Sequence, residues 1–215
     1  MVRSRQAIRI LWDVCLLVAS VSILGAQPRV SSLAEKPPAD LEPTIASLLQ
    51  ASGVKAVVGE GTLDIWFVQS ITSDGGWSGV ESGTLVGAIR VTGPFKEIRG
   101  KVVAPGVYTL RYGQQPQNGD HLGISPYRDF LLLSPASADK DPKVLGFDGV
   151  VALSKQVIGT SHPASLSIDP PEDAPGAVLS AYKNDSGLDG IVLEVPRKPA
   201  GTIKFGLIVS GVIVH

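Results

Sequence analysis

From residue 55 onward the apolar and polar positions alternate with a period of two, the spacing that sends successive side chains to opposite faces of a β-strand. Residues 62–70 (TLDIWFVQS) set Leu63, Ile65 and Phe67 against Asp64, Trp66 and Val68. Residues 84–92 form the next strand candidate, after a glycine-rich loop. Residues 96–103 and 107–112 flank Pro105-Gly106, a pair suited to the centre of a type II turn, which predicts a tight hairpin. In 107–112, Tyr108, Leu110 and Tyr112 share one face, and Val107, Thr109 and Arg111 the other. Residues 129–134 (DFLLLS) are almost continuously apolar, which predicts a central buried strand. Further candidates lie at 149–158, 165–169, 177–182 and 188–195, separated by the turn-forming stretches GTSHPA, PPEDAPG and KNDSG. The chain closes on 202–214, where Ile203, Phe205, Leu207, Val209 and Ile213 alternate and Gly206 or Gly211 could place a bulge.

Helical spacing stands out in one place, residues 44–51, where Ile45, Leu48 and Leu49 fall on one face between a Thr44 cap and Gly53. Roughly ten short strands with one short N-terminal helix predict an all-β fold. The expected form is an antiparallel β-sandwich, jelly-roll-like, or a partly open barrel. Residues 27–43 carry Pro28, Pro37, Pro38 and Pro43 among few apolar residues and read as a linker. A single domain over 44–215 is then expected.

The N-terminus has a different pattern. Arg3, Arg5 and Arg9 precede an apolar run over 14–26 that ends in small residues, the layout of a secretory signal peptide over residues 1–26. The run is shorter than the roughly 20 residues that span a bilayer, so an uncleaved anchor is the second reading. Both place the protein outside the cytoplasm, in the periplasm, cell envelope or extracellular space. The sole cysteine, Cys15, and the sole methionine, Met1, fall inside this segment. The remaining chain therefore relies on its core rather than on disulfides, and has no thiol nucleophile or sulfur metal ligand. Of 19 basic residues three arginines are in the segment, leaving 16, and of 20 acidic residues Asp13 is, leaving 19. That mild acidity without a Lys/Arg cluster argues against nucleic acid as a partner.

Candidate chemistry gathers in the loop 114–128, which holds Gln114, Gln117, Asn118, Asp120, His121, Tyr127 and Arg128. His121, Asp120, Tyr127 and Arg128 are the expected binding groups, for an unidentified protein or small molecule. His121 and His162 are candidate metal ligands, with Asp120 or Asp129 beside them, since imidazole and carboxylate suit zinc or copper. No diagnostic spacing supports a metal, and each histidine ordering its own loop is the alternative. Asn118-Gly119-Asp120 resembles part of a calcium loop but also an ordinary turn. Arg128 could meet an anion or a structural partner, and Arg111 could meet Asp129 across the sheet. Trp77, in the GGWSG loop, could present an exposed ring to a sugar. GxSxG, GxGxxG and Walker patterns are absent, and no cofactor is implied.

The runs PGVYTLRY, QP, GDH and YRDFLLL between residues 105 and 133 resemble the shared core of a group of uncharacterised secreted bacterial proteins. PGVYTL is also loosely similar to a broader β-rich domain of unknown function. The resemblance implies export and a compact β-sandwich, and carries no reaction, ligand or catalytic residue. On these grounds the expected function is that of an exported, non-enzymatic binding or interaction protein. A metal-binding protein or enzyme and a carbohydrate-binding module are the alternatives.

Overall fold

The computed structural model describes residues 27–116 and 127–212. The chain opens with β1 (Arg29–Leu33), a single helical turn α1 (Pro43–Ala46), β2 (Gly53–Val58) and β3 (Gly61–Phe67). β4 (Ile71–Thr72) and β5 (Leu85–Thr92) lead to a small hairpin of β6 (Phe95–Lys96) and β7 (Val102–Val103). Next come β8 (Gly106–Gln114), β9 (Asp129–Pro135) and the helix α2 (Gly146–Ile158). The last strands are β10 (Ser165–Asp169), β11 (Ala181–Lys183), β12 (Asp189–Lys198) and β13 (Thr202–Ser210).

The fold is all-β. One curled sheet runs β1-β2-β3-β5-β8-β9-β10-β13-β12-β11, and β4 pairs in parallel with β12. That pairing carries the chain from the end of β3 to the far half of the sheet. The two halves thus enclose one core, where Phe67 of β3 meets Phe205 of β13 edge to face at 5.9 Å. Leu63, Ile65, Leu110, Leu131, Leu133 and Leu166 fill it. β9 is central, as its apolar run predicts: Leu131 and Leu133 face the main core, while Phe130 and Leu132 pack with Val150 of α2 on the opposite face.

Four of the predicted elements differ in the structure. Residues 27–43 are not a free linker, because β1 pairs with β2 from Arg29↔Val57 to Leu33↔Gly53. Beyond β1, the Glu35 carbonyl accepts from Trp66 Nε1 at 2.8 Å, and its carboxylate accepts from Arg90 at 2.8 Å. Arg90 lies over the Trp66 ring at 5.4 Å and pairs with buried Asp64. The helix expected over 44–51 stops after one turn because the chain turns back onto β3: Gln50 N donates to Phe67 O, and Gln69 N to Leu48 O. Residues 96–103 do not pair with β8. The Glu97 carboxylate accepts the backbone N–H groups of Arg99 and Lys101, folding that stretch into its own hairpin. Finally, 149–158 is helix, not strand. Phe147, Val150, Val151, Ser154 and Val157 recur at helical spacing, and Gly159 ends the helix in the left-handed conformation at φ 61°.

Arg111 and Asp139 form an ion pair inside this structure, with side chains 0% and 1% exposed. Nε and Nη2 of Arg111 donate to the two Asp139 oxygens at 2.7 and 2.8 Å. Its remaining N–H groups reach the carbonyls of Gly83, Lys143 and Asp141. Thr109 also donates to Asp139. The cross-sheet pairing of Arg111 with Asp129 is therefore not formed, since Arg111 pairs with Leu132 in register and points to the outer face of β8. Removing one partner strands a buried charge, which costs about 3–5 kcal/mol. Asp139→Ala should lose that much in urea unfolding, whereas Lys55→Gln, at a partly exposed pair with Asp64, should lose less than about 1 kcal/mol.

Candidate functional site

α2 packs mainly on the outer face of β9, touching β8 and β7, and leaves a cleft of about 410 Å³ along its edge, which Ser165 of β10 also lines. Phe130 and Leu132 form its floor, continued by Gly113, which has no side chain to fill it. A Cβ on Gly113 would come within 2.9 Å of Leu132 Cδ1. Phe147, Asp148, Val151 and Lys155 of α2 form one wall. These positions follow the i, i+3/i+4, i+7/i+8 spacing that puts residues on one helix face. Arg99, from the β6–β7 hairpin, and Ser161, His162 and Pro163, from the α2–β10 connection, form the other. Apolar walls with a few charged groups at the rim, in a volume of this order, are the usual make-up of a small-molecule pocket.

The charges around the cleft differ in how they are held. Arg99 is anchored: Nε donates to the buried Glu97 carboxylate at 2.9 Å, and Nη2 to the Pro163 carbonyl. Its charge is thereby compensated within the fold. Lys155 and Asp148 are exposed, and neither has a side-chain partner among the described residues. Ser154, behind them, is buried and donates to Ala164 O at 2.8 Å, tying α2 to the start of β10.

The sequence-predicted residues distribute unevenly. His162 lines the cleft. His121 and Asp120 lie outside the described residues, as does His215, and a His121–His162 site falls outside them with His121. Among the described residues no group of three or more His, Cys, Asp or Glu could hold a metal ion. Arg128 is spent on structure, donating from Nε and Nη2 to Gln115 O across the neck of the loop. Gln115 and Pro116, where the loop leaves β8, border the cleft.

Trp77 is not an exposed sugar platform. It is 5% exposed, stacked on Tyr112 at 5.4 Å and edge to face with Phe205 at 5.0 Å. A buried indole beside two aromatic rings has no face left for a sugar. Tyr112 donates to Asp129. Its hydroxyl is pushed up from the usual tyrosine value by burial and then by that bond.

Tyr127 borders a second depression, of about 490 Å³, with Glu172, Asp173, Lys183 and Asn184. Near it Tyr182 and Asn184 donate to Asp169 Oδ2 at 2.9 and 3.0 Å, while Asp169 Oδ1 is buried without a hydrogen-bond partner among the described residues. The Tyr182 ring lies against Gly190 and Gly206, where any Cβ would strike it. Burial lifts the Asp169 carboxyl above its ordinary value, with the Asn184 and Tyr182 bonds opposing.

Comparison with known proteins adds no relative: no family model matches the chain, and no curated protein or solved structure shows significant similarity to it.

Asp169 links this region to pH. Because its folded value is raised, the carboxyl favours folding while protonated. That contribution is present below the unfolded value of about 3.9 and is lost as pH rises through the folded value. Asp169→Asn should therefore melt above wild type at pH 7, and the gap should close as pH falls toward about 3.9. A series of thermal melts across that range checks the sign.

Proposed function

We propose that the protein is an exported, non-enzymatic binding module whose ligand seats in the cleft between α2 and strands β8–β10. The observation that carries this reading is the cleft itself: a narrow apolar floor at Phe130 and Leu132, 8% and 4% exposed, beside α2, with charged groups at the rim. Apolar side chains at the bottom of a cleft of this size supply affinity, and the few polar groups orient the ligand. This moves the expected binding region from the 114–128 loop to the helix beside it, with Gln115, Pro116 and His162 at the border. Export rests on the arginines and apolar run of residues 1–26 and on the resemblance of the 105–133 core to secreted proteins. No helix among the described residues is long and apolar enough to cross a membrane.

Two measurements test the two halves of the proposal. Titrating 3-phenylpropanoate, phenethylamine and 1-phenylethanol should move the methyl NMR signals of Leu132 and Val151 for at least one probe. Val151→Trp, which fills the cleft, should abolish the Leu132 response while the rest of the spectrum stays folded. Silence from all three probes, or an unchanged response in the variant, removes the cleft from consideration. For export, the protein recovered from a fractionated bacterial host should be found outside the cytoplasm, with a mass short by an N-terminal segment or retained with the membrane. Full-length protein confined to the soluble cytoplasm rejects it.

A further inference from the structure

The charges on α2 narrow the ligand class. Asp148 and Lys155 are seven residues apart, two turns of one helix face, and both line the cleft. At 1.5 Å per residue they stand about 10 Å apart along the axis. Val151 lies between them on the same wall, above the floor of Phe130 and Leu132. The carboxylate and the ammonium are too far apart along the helix to satisfy one another, and neither is paired elsewhere among the described residues. Arg99 adds no net charge, because Glu97 neutralises it. Among the described residues the cleft is thus an apolar strip with one unpaired anion, Asp148, and one unpaired cation, Lys155, on its helical wall.

An amphipathic monoanion would satisfy only Lys155, and an apolar amine only Asp148. A ligand that satisfies both must carry opposite charges at the two ends of an apolar body, on the scale of the roughly 10 Å between the two backbone positions. Three residues of extended chain span about 10 Å, and their free termini are an ammonium and a carboxylate. Building on the cleft reading above, we propose that the ligand is a short peptide of apolar residues, about three long, bound by its termini. Its ammonium faces Asp148, its carboxylate faces Lys155, and its side chains lie on Phe130, Leu132 and Val151. Placement of Asp148 in the first turn and Lys155 near the last also favours the helix dipole, and a purely helical role for the two charges makes a different prediction.

The test uses the full chain, the tripeptide Leu-Ala-Phe, its N-acetyl and C-amide forms, and calorimetric titration. The free tripeptide should bind wild type most tightly. N-acetylation should weaken binding roughly two- to fivefold, the range of one exposed ion pair, and should cost nothing further in Asp148→Asn. C-amidation should weaken wild type by a similar factor and cost nothing further in Lys155→Gln. Both substitutions are at exposed positions, and a thermal melt confirms the fold of each variant. If blocking either terminus costs the same in the variant as in wild type, the charges serve the helix and the peptide assignment is wrong. If the tripeptide does not bind but 3-phenylpropanoate does, the cleft stands and its ligand is a simple carboxylate, which also overturns the peptide. If no probe of either kind binds, the cleft reading and the peptide fall together.

Discussion

The ion pair between Arg111 and Asp139 is the constraint on which the outer half of the molecule depends. Two charges withdrawn from water are tolerated only when geometry and hydrogen bonding offset their desolvation. Here each of the five guanidinium N–H groups has an acceptor, two on the carboxylate and three on backbone carbonyls at Gly83, Asp141 and Lys143. One side chain on β8 therefore holds both the entry to β5 and the loop after β9. That loop ends where α2 begins, and Leu145 N donates back to Gly83 O. The start of α2 is set by a charge buried three residues before the edge of the polar loop.

With α2 anchored at its start, the cleft is a matter of coverage. β9 is apolar on both faces, so a sheet that buries Leu131 and Leu133 inside must still cover Phe130 and Leu132 outside. α2 covers most of both, leaving Phe130 8% and Leu132 4% exposed. Val150 reaches the sheet and is fully buried, and Ser154 ties the helix to Ala164, but Gly113 offers no side chain beneath the edge of the helix. The uncovered remainder is the cleft. Its charged ends lie on the helix, while Glu97 holds Arg99 on the opposite wall.

Much of the architecture was legible from local pattern. The strand candidates at 62–70, 84–92, 107–112, 129–134, 165–169 and 202–214 all contain strands, and β10 spans 165–169. The misreadings share a cause. At 149–158 the apolar run VVAL outweighed a helical stripe that was present, from Phe147 through Val150, Val151 and Ser154 to Val157, with Gly159 as its stop. At 96–103 a turn-forming Pro105-Gly106 suggested a hairpin that Glu97 closes earlier, on its own neighbours. At 29–33 a proline-rich surround hid a strand whose partner, β2, lies more than twenty residues away. Trp77 sits among glycines, the composition of a surface loop, yet it stacks on Tyr112 of β8.

By itself, the sequence determined the all-β class, the central place of residues 129–134 and the amphipathic faces of most strands, because side-chain alternation is a property of each strand alone. It also determined which residue types were available for chemistry: no cysteine beyond position 15 and few histidines. Only the tertiary structure decided which polar residues are spent and which are free. Arg111 and Arg128 look alike along the chain, but their acceptors lie 28 and 13 residues away at Asp139 and Gln115, and Arg99, paired with Glu97 two residues before it, also reaches Pro163, 64 residues on. Asp148 and Lys155 do not stand out in the sequence. They become the ends of a cleft because a helix lies over a sheet face that it does not fully cover, and such coverage depends on packing between distant segments, which no local pattern encodes.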